Sequence, residues 1–303
     1  MELGVGDNRL RRADIRRVGR GIYMWEAPGL RIGEDVTDEA HEPGRMASAE
    51  LQSLFRSISA KYPSTWVSHG TAARILGLPL PWRLKRQDDV HLSSQGKGQS
   101  YAGRPGVVRH RPVSCPGETF IKDGIRMSTP ARIMIDLMPW LSVAELVVLG
   151  DAVVRRPYSY AEGRGQAWTS IEELKRTVDA HPWTPGVPRG REAVSLVRVG
   201  ADSAPETRLR LALINGGLPE PELQVPADID DPSSPRADLG YPWAKLAIQY
   251  DGEHHFAPAQ QNRDQMRDAT FEAHGWKVLL ANQVDNRDGF RRLVSRTAHL
   301  LRG

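Results

Sequence analysis

The sequence predicts an α/β C-terminal domain, a mixed sheet flanked by helices, preceded by an α+β N-terminal region. Three observations predict it. From residue 204 onward the apolar pattern reads helix, three strands, helix, strand, helix, and that order folds into a layered α/β sheet. Ahead of it, helices and short strand candidates are mixed. A chain of 303 residues is long for one hydrophobic core and typical of two domains.

Residues 15–25 (IRRVGRGIYMW) read as a basic β-ribbon, because Gly19 and Gly21 allow a tight turn between short strands. After acidic and turn-rich residues up to Pro43, a helix is expected over 46–62, where Leu51, Leu54, Phe55 and Ile58 recur at helical spacing. A short helix follows over 68–76 (SHGTAARIL), with Ser68 as N-cap and Gly77 and Pro79 ending it. His69 is read as a packing or capping residue at that helix start, and Trp25, Trp66 and Trp82 as core. Residues 90–93, 107–113 and 119–127 read as strands. Thr129-Pro130 opens a helix carrying Ile133, Ile135, Leu137 and Met138, since proline is tolerated in a first turn. Residues 143–154 form a helix so apolar that it must be largely buried. Arg, Pro, Gly, Ser and Tyr make 155–168 a surface loop, and helices follow at 170–180 and 189–199.

A short polar segment at 200–204 marks the boundary. The expected divisions are 1–44 for the ribbon module, 45–203 for the middle region and 204–303 for the C-terminal domain. In that domain a helix over 205–215 has Leu209, Leu213 and Ile214 apolar, with Gly216-Gly217 closing it. Strands are expected at 223–229, 237–241, 245–250 and 276–281, with DDPSSP as a hairpin-like turn. Helices at 260–274 and 290–301 complete the set.

Composition narrows the function classes. An apolar fraction of 40% supports real cores, and a net charge of +4 permits a polyanion partner without demanding one. Arg9, Arg11, Arg12, Arg16, Arg17 and Arg20 crowd together with only Asp14 among them, either a solvated basic face or a phosphate contact. Cys115 is the single cysteine, which excludes an intramolecular disulfide and a cysteine-rich zinc site. No signal peptide and no membrane-length apolar run is recognisable, so the expected location is the cytoplasm.

The chemistry concentrates in 236–255, RADLGYPWAKLAIQYDGEHH. Asp238 sits on one short strand, and Gln249 and Asp251 lie two apart on the next, so their side chains emerge on the same face. Leu246, Ala247 and Ile248 bury that strand and leave the polar pair at its mouth. Glu206, in the first turn of the preceding helix, can approach the same point. Carboxylate oxygens converging from neighbouring elements are what a hard divalent ion such as Mg²⁺ requires. Any one of these acids alone is ordinary; their order along the chain is not.

These residues resemble the family related to very-short-patch-repair endonucleases, a branch of the PD-(D/E)xK superfamily with a restriction-endonuclease-like fold. The resemblance covers roughly 204–302 and rests on Glu206-Thr-Arg-Leu, Asp238 in RADLGYP, QYDGEHH over 249–255, Arg263-Asp264, Arg267-Asp268 and the HGWKVL segment over 274–279. It implies Asp238 as central metal ligand, Asp251 sharing the metal or its water, Glu206 as an outer or second-site ligand, and Mg²⁺ (or Mn²⁺) as cofactor. It also implies His254 or His255 as a proton shuttle or phosphate contact, unless they are packing residues. Arg263 and Arg267, four apart on one helical face, either clamp a phosphate or pair with Asp264 and Asp268. The family usually has Glu where this chain has Gln249, and the superfamily lysine is replaced by Asp251.

The N-terminal region resembles, more weakly, proteins led by an abortive-infection (AbiEi-type) antitoxin module, through RRVGRGIYMW, SHGTAARILGLPLP and DGIRMSTPARIMIDLM. Its ribbon is similar to the wing of a winged helix-turn-helix, a remnant of that fold. The resemblance implies DNA binding through Arg16, Arg17 and Arg20, and a partner protein in a toxin–antitoxin or defence system. The expected function is a metal-dependent DNA endonuclease with an N-terminal DNA-binding module. The alternative is a DNA-binding, antitoxin-like regulator that keeps the nuclease fold as a scaffold.

Overall fold

The protein is described by a computed structural model covering residues 15–19, 22–25, 49–85, 89–95, 106–157, 162, 164–251 and 258–302. For 15–19, 22–25, 49–50, 85 and 258–264 it describes the backbone alone. His254, His255 and Arg20 therefore lie outside the described residues, as do the side chains of Arg16, Arg17, Trp25 and Arg263. The architecture is mixed α/β, two mixed sheets flanked by helices, with a separate two-stranded ribbon.

Two compact units emerge. The first comprises Met1–Trp140 and Ala180–Pro185; the second comprises Leu141–Asp179 and Gly186–Gly303. Strands β1 (Ile15–Gly19) and β2 (Ile22–Trp25) pair antiparallel in the first unit, as the ribbon pattern predicts. Helix α1 (Ala49–Lys61) leads into β3 (Thr65–Val67), then α2 (His69–Ile75) and α3 (Trp82–Lys85). Strands β4 (Val90–Ser94), β5 (Val107–His110), β6 (Thr119–Lys122) and β7 (Ile125–Ser128) precede α4 (Pro130–Leu137). The five-stranded sheet runs β5-β4-β3-β7-β6, with β3 parallel to β7, β4 parallel to β5 and the remaining pairs antiparallel.

Several local expectations change. The single strand expected over 119–127 is a hairpin, because Asp123 and Gly124 both take left-handed φ (52° and 78°) and turn the chain back. Asp-Gly is a favoured pair for such a two-residue turn. Strand β3 has all three residues buried and so shows no alternation to read. Ser68 stands at the N-cap of α2 but makes no capping bond; its Oγ accepts from Ser93 Oγ instead. Trp66 is core, its indole N–H donating to Ser128 Oγ at 3.2 Å, whereas Trp82 is 63% exposed. The helix at Thr129-Pro130 forms as expected, and the Thr129 side chain accepts from the Arg132 N–H.

In the second unit, α5 (Val143–Val154) is buried along most of its length and opens with a capping box between Ser142 and Glu145. Helices α6 (Ile171–Ala180), α7 (Val187–Leu196) and α8 (Ala204–Asn215) follow. The unit that holds 204–303 thus also takes in α5 and α7. Strands β8 (Glu222–Pro226), β9 (Arg236–Tyr241) and β10 (Leu246–Tyr250) are antiparallel neighbours. After α9 (Pro258–Ala273), β11 (Lys277–Ala281) pairs parallel to β10, closing the order β11-β10-β9-β8. Short α10 (Gln283–Arg287) and α11 (Arg291–Arg302) end the chain.

The pleat of β10 separates two apolar layers. Leu246 and Ile248 pack with Leu209 and Leu213 of α8 and Leu293 of α11. Ala247 packs with Phe271 of α9 and Trp276. Gly240, opposite Ala247, is required by close approach: a Cβ there would stand 2.9 Å from the Leu246 carbonyl oxygen. Among the described residues no helix is long and apolar enough to cross a membrane.

Candidate functional site

The site grows from the start of α8 and the ends of β9 and β10. Ser203 caps α8, its Oγ accepting from the Glu206 N–H. The Glu206 carboxylate turns back to accept from the Asp202 N–H at 2.8 Å and from Ser203 Oγ at 2.7 Å. Burial, reinforced by the negative charge of nearby Asp238, pushes the Glu206 pKa up to about 8 despite those hydrogen bonds. Asp238 thus lies close enough to act on Glu206 electrostatically.

Asp238 is half-buried on β9, and its Oδ2 accepts the backbone N–H of Tyr250 at 2.7 Å. The carboxylate therefore stands between the two strands where the β9–β10 ladder, last paired at Leu239–Ile248, comes to an end. Gln249 follows Ala247 by two on β10 and shares its face. It is 1% exposed, and neither its Oε1 nor its Nε2 has a partner among the described residues. Leaving both ends of a buried amide unpaired costs on the order of 1–3 kcal/mol per group. Such a side chain suits a ligand supplied from outside the fold. Asp251 lies just past β10, exposed, its N–H donating to Ala281 O at 2.7 Å.

Glu206, Asp238 and Asp251 do not stand within 4.8 Å of one another as a three-ligand set. Glu206 faces its own helix start and Asp251 faces solvent. On α9, Arg267 pairs with the adjacent Asp268 at 3.6 Å, the local pairing allowed for by the sequence.

Two clusters in the first unit do bring three ligand-type side chains within 4.8 Å: His69, His91 and His110, and Cys115, Glu118 and His181. Neither is legible as a motif. In the second of these, Glu118 is already committed. It bonds Arg132 and His181, accepts the Cys115 N–H, and receives Ser114 Oγ at 3.1 Å. Arg132 itself is buried between Glu118 and Asp136, so this cluster is an ion-pair network. Its fully engaged acceptors leave no lone pair for a cation without stranding the guanidinium.

The chain is similar to two uncharacterized proteins of Mycobacterium tuberculosis, MT2308 of strain CDC 1551 and Rv2248 of strain H37Rv. Each is 33% identical over 297 residues, covering 97% of this chain and 95% of the relative. The chain belongs to their family. The likeness spans both units. No family model and no solved structure matches.

Proposed function

We propose that the second unit is a metal-dependent DNA endonuclease of the restriction-endonuclease-like class, served by an N-terminal DNA-binding ribbon. The observation that carries the reading is the electrostatic influence of Asp238 on the buried acid Glu206, beside a strand that ends in a buried amide, Gln249, without a partner among the described residues. Burial, then the charge of Asp238, raises the Glu206 pKa, and a cation bound nearby would favour the ionised acid. The order of α8, three antiparallel strands, α9 and a parallel β11 supports the same reading.

The candidate donors, Asp238, Asp251, Glu206 and the Gln249 amide, are oxygens only, the chemistry that Mg²⁺ or Mn²⁺ takes, although the three carboxylates do not converge in this structure. Bound there, such an ion would supply an activated water and offset charge on the phosphodiester being hydrolysed. Asp238, pinned by the Tyr250 N–H, sets the position of the site. Glu206 gives up its proton when positive charge arrives. Gln249 adds an oxygen without adding charge. His254, His255, Arg263 and Arg267 are assigned to proton transfer and phosphate contact by resemblance alone.

One observation favours the scaffold alternative: Glu206 is satisfied by its own helix start, which a purely structural acid would also achieve. The deciding experiment incubates the full chain with supercoiled, linear and single-stranded DNA in Mg²⁺, Mn²⁺ and EDTA. Cleavage in either ion, lost in EDTA, is expected. Silence on every DNA form would leave the scaffold.

The ribbon carries a separate expectation. Neutralising Arg16, Arg17 and Arg20 together should weaken DNA binding about uniformly across sequences and flatten its salt dependence, since phosphate contacts release counterions. An unchanged slope of log affinity against log salt would remove the ribbon from the interface.

A further inference from the structure

We propose that the first unit holds a transition-metal centre of the zinc class, bound by His69, His91 and His110. Strand register assembles it. On parallel strands β4 and β5, His91 pairs with Val108 and Ser93 with His110, so the two histidines are diagonal neighbours on one face. The Ser68 N–H donates to His91 O at 3.1 Å, which fastens the start of α2 to β4 and brings His69 over the pair. His91 Nδ1 and His110 Nε2 are 2.9 Å apart, and the His69 ring stacks on His110 with centroids 3.6 Å apart. One ring nitrogen from each residue lies within 4.8 Å of the others. Tetrahedral zinc with Zn–N bonds of about 2.0–2.1 Å would hold its nitrogens roughly 3.4 Å apart, so the His91–His110 hydrogen bond must open and the stacked His69 ring must turn to aim its lone pair at the same point.

The surroundings prepare the rings for a cation. Burial, then the positive charge each could impose on the others, drives His69 down to about 2 and His91 to about 4, and burial lowers His110 too. An imidazole that resists taking up a proton keeps a nitrogen lone pair for a metal. His69 Nδ1 is held by Ser68 Oγ at 2.8 Å, and that hydroxyl accepts from Ser93 Oγ at 2.7 Å. A ligating histidine is commonly oriented this way through its other nitrogen. Asp136 stands 3.9 Å from His69 Nδ1, but its oxygens already accept from Arg132 and Ser128.

Backbone strain points to the same place. His69 has a left-handed φ of 54°. A non-glycine residue there costs about 1–3 kcal/mol, and such strain gathers at sites where a side chain must be aimed. Three nitrogen donors of intermediate softness suit Zn²⁺, Co²⁺, Ni²⁺ or Cu²⁺ better than Mg²⁺ or Ca²⁺. With three protein ligands, a fourth position stays open, on the side where His91 and His110 are only half-buried. Trp140 stands edge-on to His69 and His110, at 5.4 and 6.3 Å, and is 48% exposed, forming a rim to that opening.

The test uses the full chain carrying Asp238→Asn, so that the carboxylate site of the second unit does not compete. After EDTA treatment and dialysis, Co²⁺ is titrated and visible absorption recorded. One equivalent should bind with the strong d–d bands of four-coordinate cobalt, Zn²⁺ should displace it, and azide should perturb the bands. His91→Gln and His110→Gln should each weaken binding by at least about a hundredfold with far-UV circular dichroism unchanged. If either variant loses its fold, X-ray absorption on the Zn²⁺-loaded chain with all three histidines intact decides: three imidazole ligands support the centre. Absence of Co²⁺ and Zn²⁺ binding, retention of the ion in both folded variants, or fewer than three imidazoles would overturn it.

Discussion

Arg210→Met should destabilise the second unit by about 3–5 kcal/mol, read as a lowered midpoint in urea denaturation. Arg210 on α8 is fully buried (0% exposed). It donates to Asp151 Oδ2 on α5 at 2.8 Å, to Glu220 Oε1 at 3.0 Å and to Leu196 O at 2.9 Å. Methionine fills much of the volume but leaves Asp151 buried without its cation. Burial already raises the Asp151 pKa even with Arg210 present, the Arg198 N–H and Thr207 Oγ1 being its other donors. A carboxylate whose folded pKa lies above its unfolded value takes up a proton on folding, so stability rises as pH falls through the folded pKa toward the unfolded one. The deficit of Arg210→Met should therefore shrink in acid. Adding Asp151→Asn should recover part of it, since the amide oxygen can accept from the Arg198 N–H and its NH2 can donate to Thr207 Oγ1, while the charge is removed. A deficit independent of pH, or no recovery, would mean that packing and not charge holds α5 to α8.

The second large effect is on activity. Asp238→Asn should reduce metal-dependent cleavage by on the order of a hundredfold to a thousandfold, several kcal/mol of lost charge stabilisation. Asparagine retains an oxygen for the Tyr250 N–H, so the end of the β9–β10 ladder is kept. In EDTA the variant should be at least as stable as the wild type, because the repulsion between Asp238 and Glu206 disappears. Cleavage undiminished in Asp238→Asn would remove this site. A loss of activity that tracks a loss of stability in EDTA would mean that Asp238 is structural.

The strong elements of the second unit were readable because each satisfies one period at a time. Leu209 and Leu213 repeat at helical spacing in α8, and the apolar run of β10 places Gln249 and Asp251 at its mouth. That order also allowed Glu206 to approach the Asp238 end of the sheet. The direction of the Glu206 carboxylate did not, since Ser203 and the Asp202 N–H compete for it locally. Asp151 and Arg210 lie 59 residues apart, so nothing local announces their pairing or the inclusion of α5 in the second unit. The histidine cluster was hidden for another reason. His69 reads as a helix-start residue, and only the β4–β5 register and a left-handed backbone bring it to His91 and His110. The hairpin of β6 and β7 was signalled by Asp123-Gly124 within what reads as one strand.

The most direct test of the endonuclease site is the rate of nicking supercoiled DNA against Mn²⁺ and Mg²⁺ concentration, for the wild type and Gln249→Glu. A glutamate at 249 adds formal charge at the mouth of β10 while keeping the oxygen, and hard cations reward added carboxylate. The expected result is metal-dependent nicking by both proteins, with the variant reaching half its maximal rate at lower metal concentration. If both are silent on supercoiled DNA while folded, and Gln249→Glu is less stable than wild type because a further acid repels its neighbours, the second unit is a scaffold and not a nuclease.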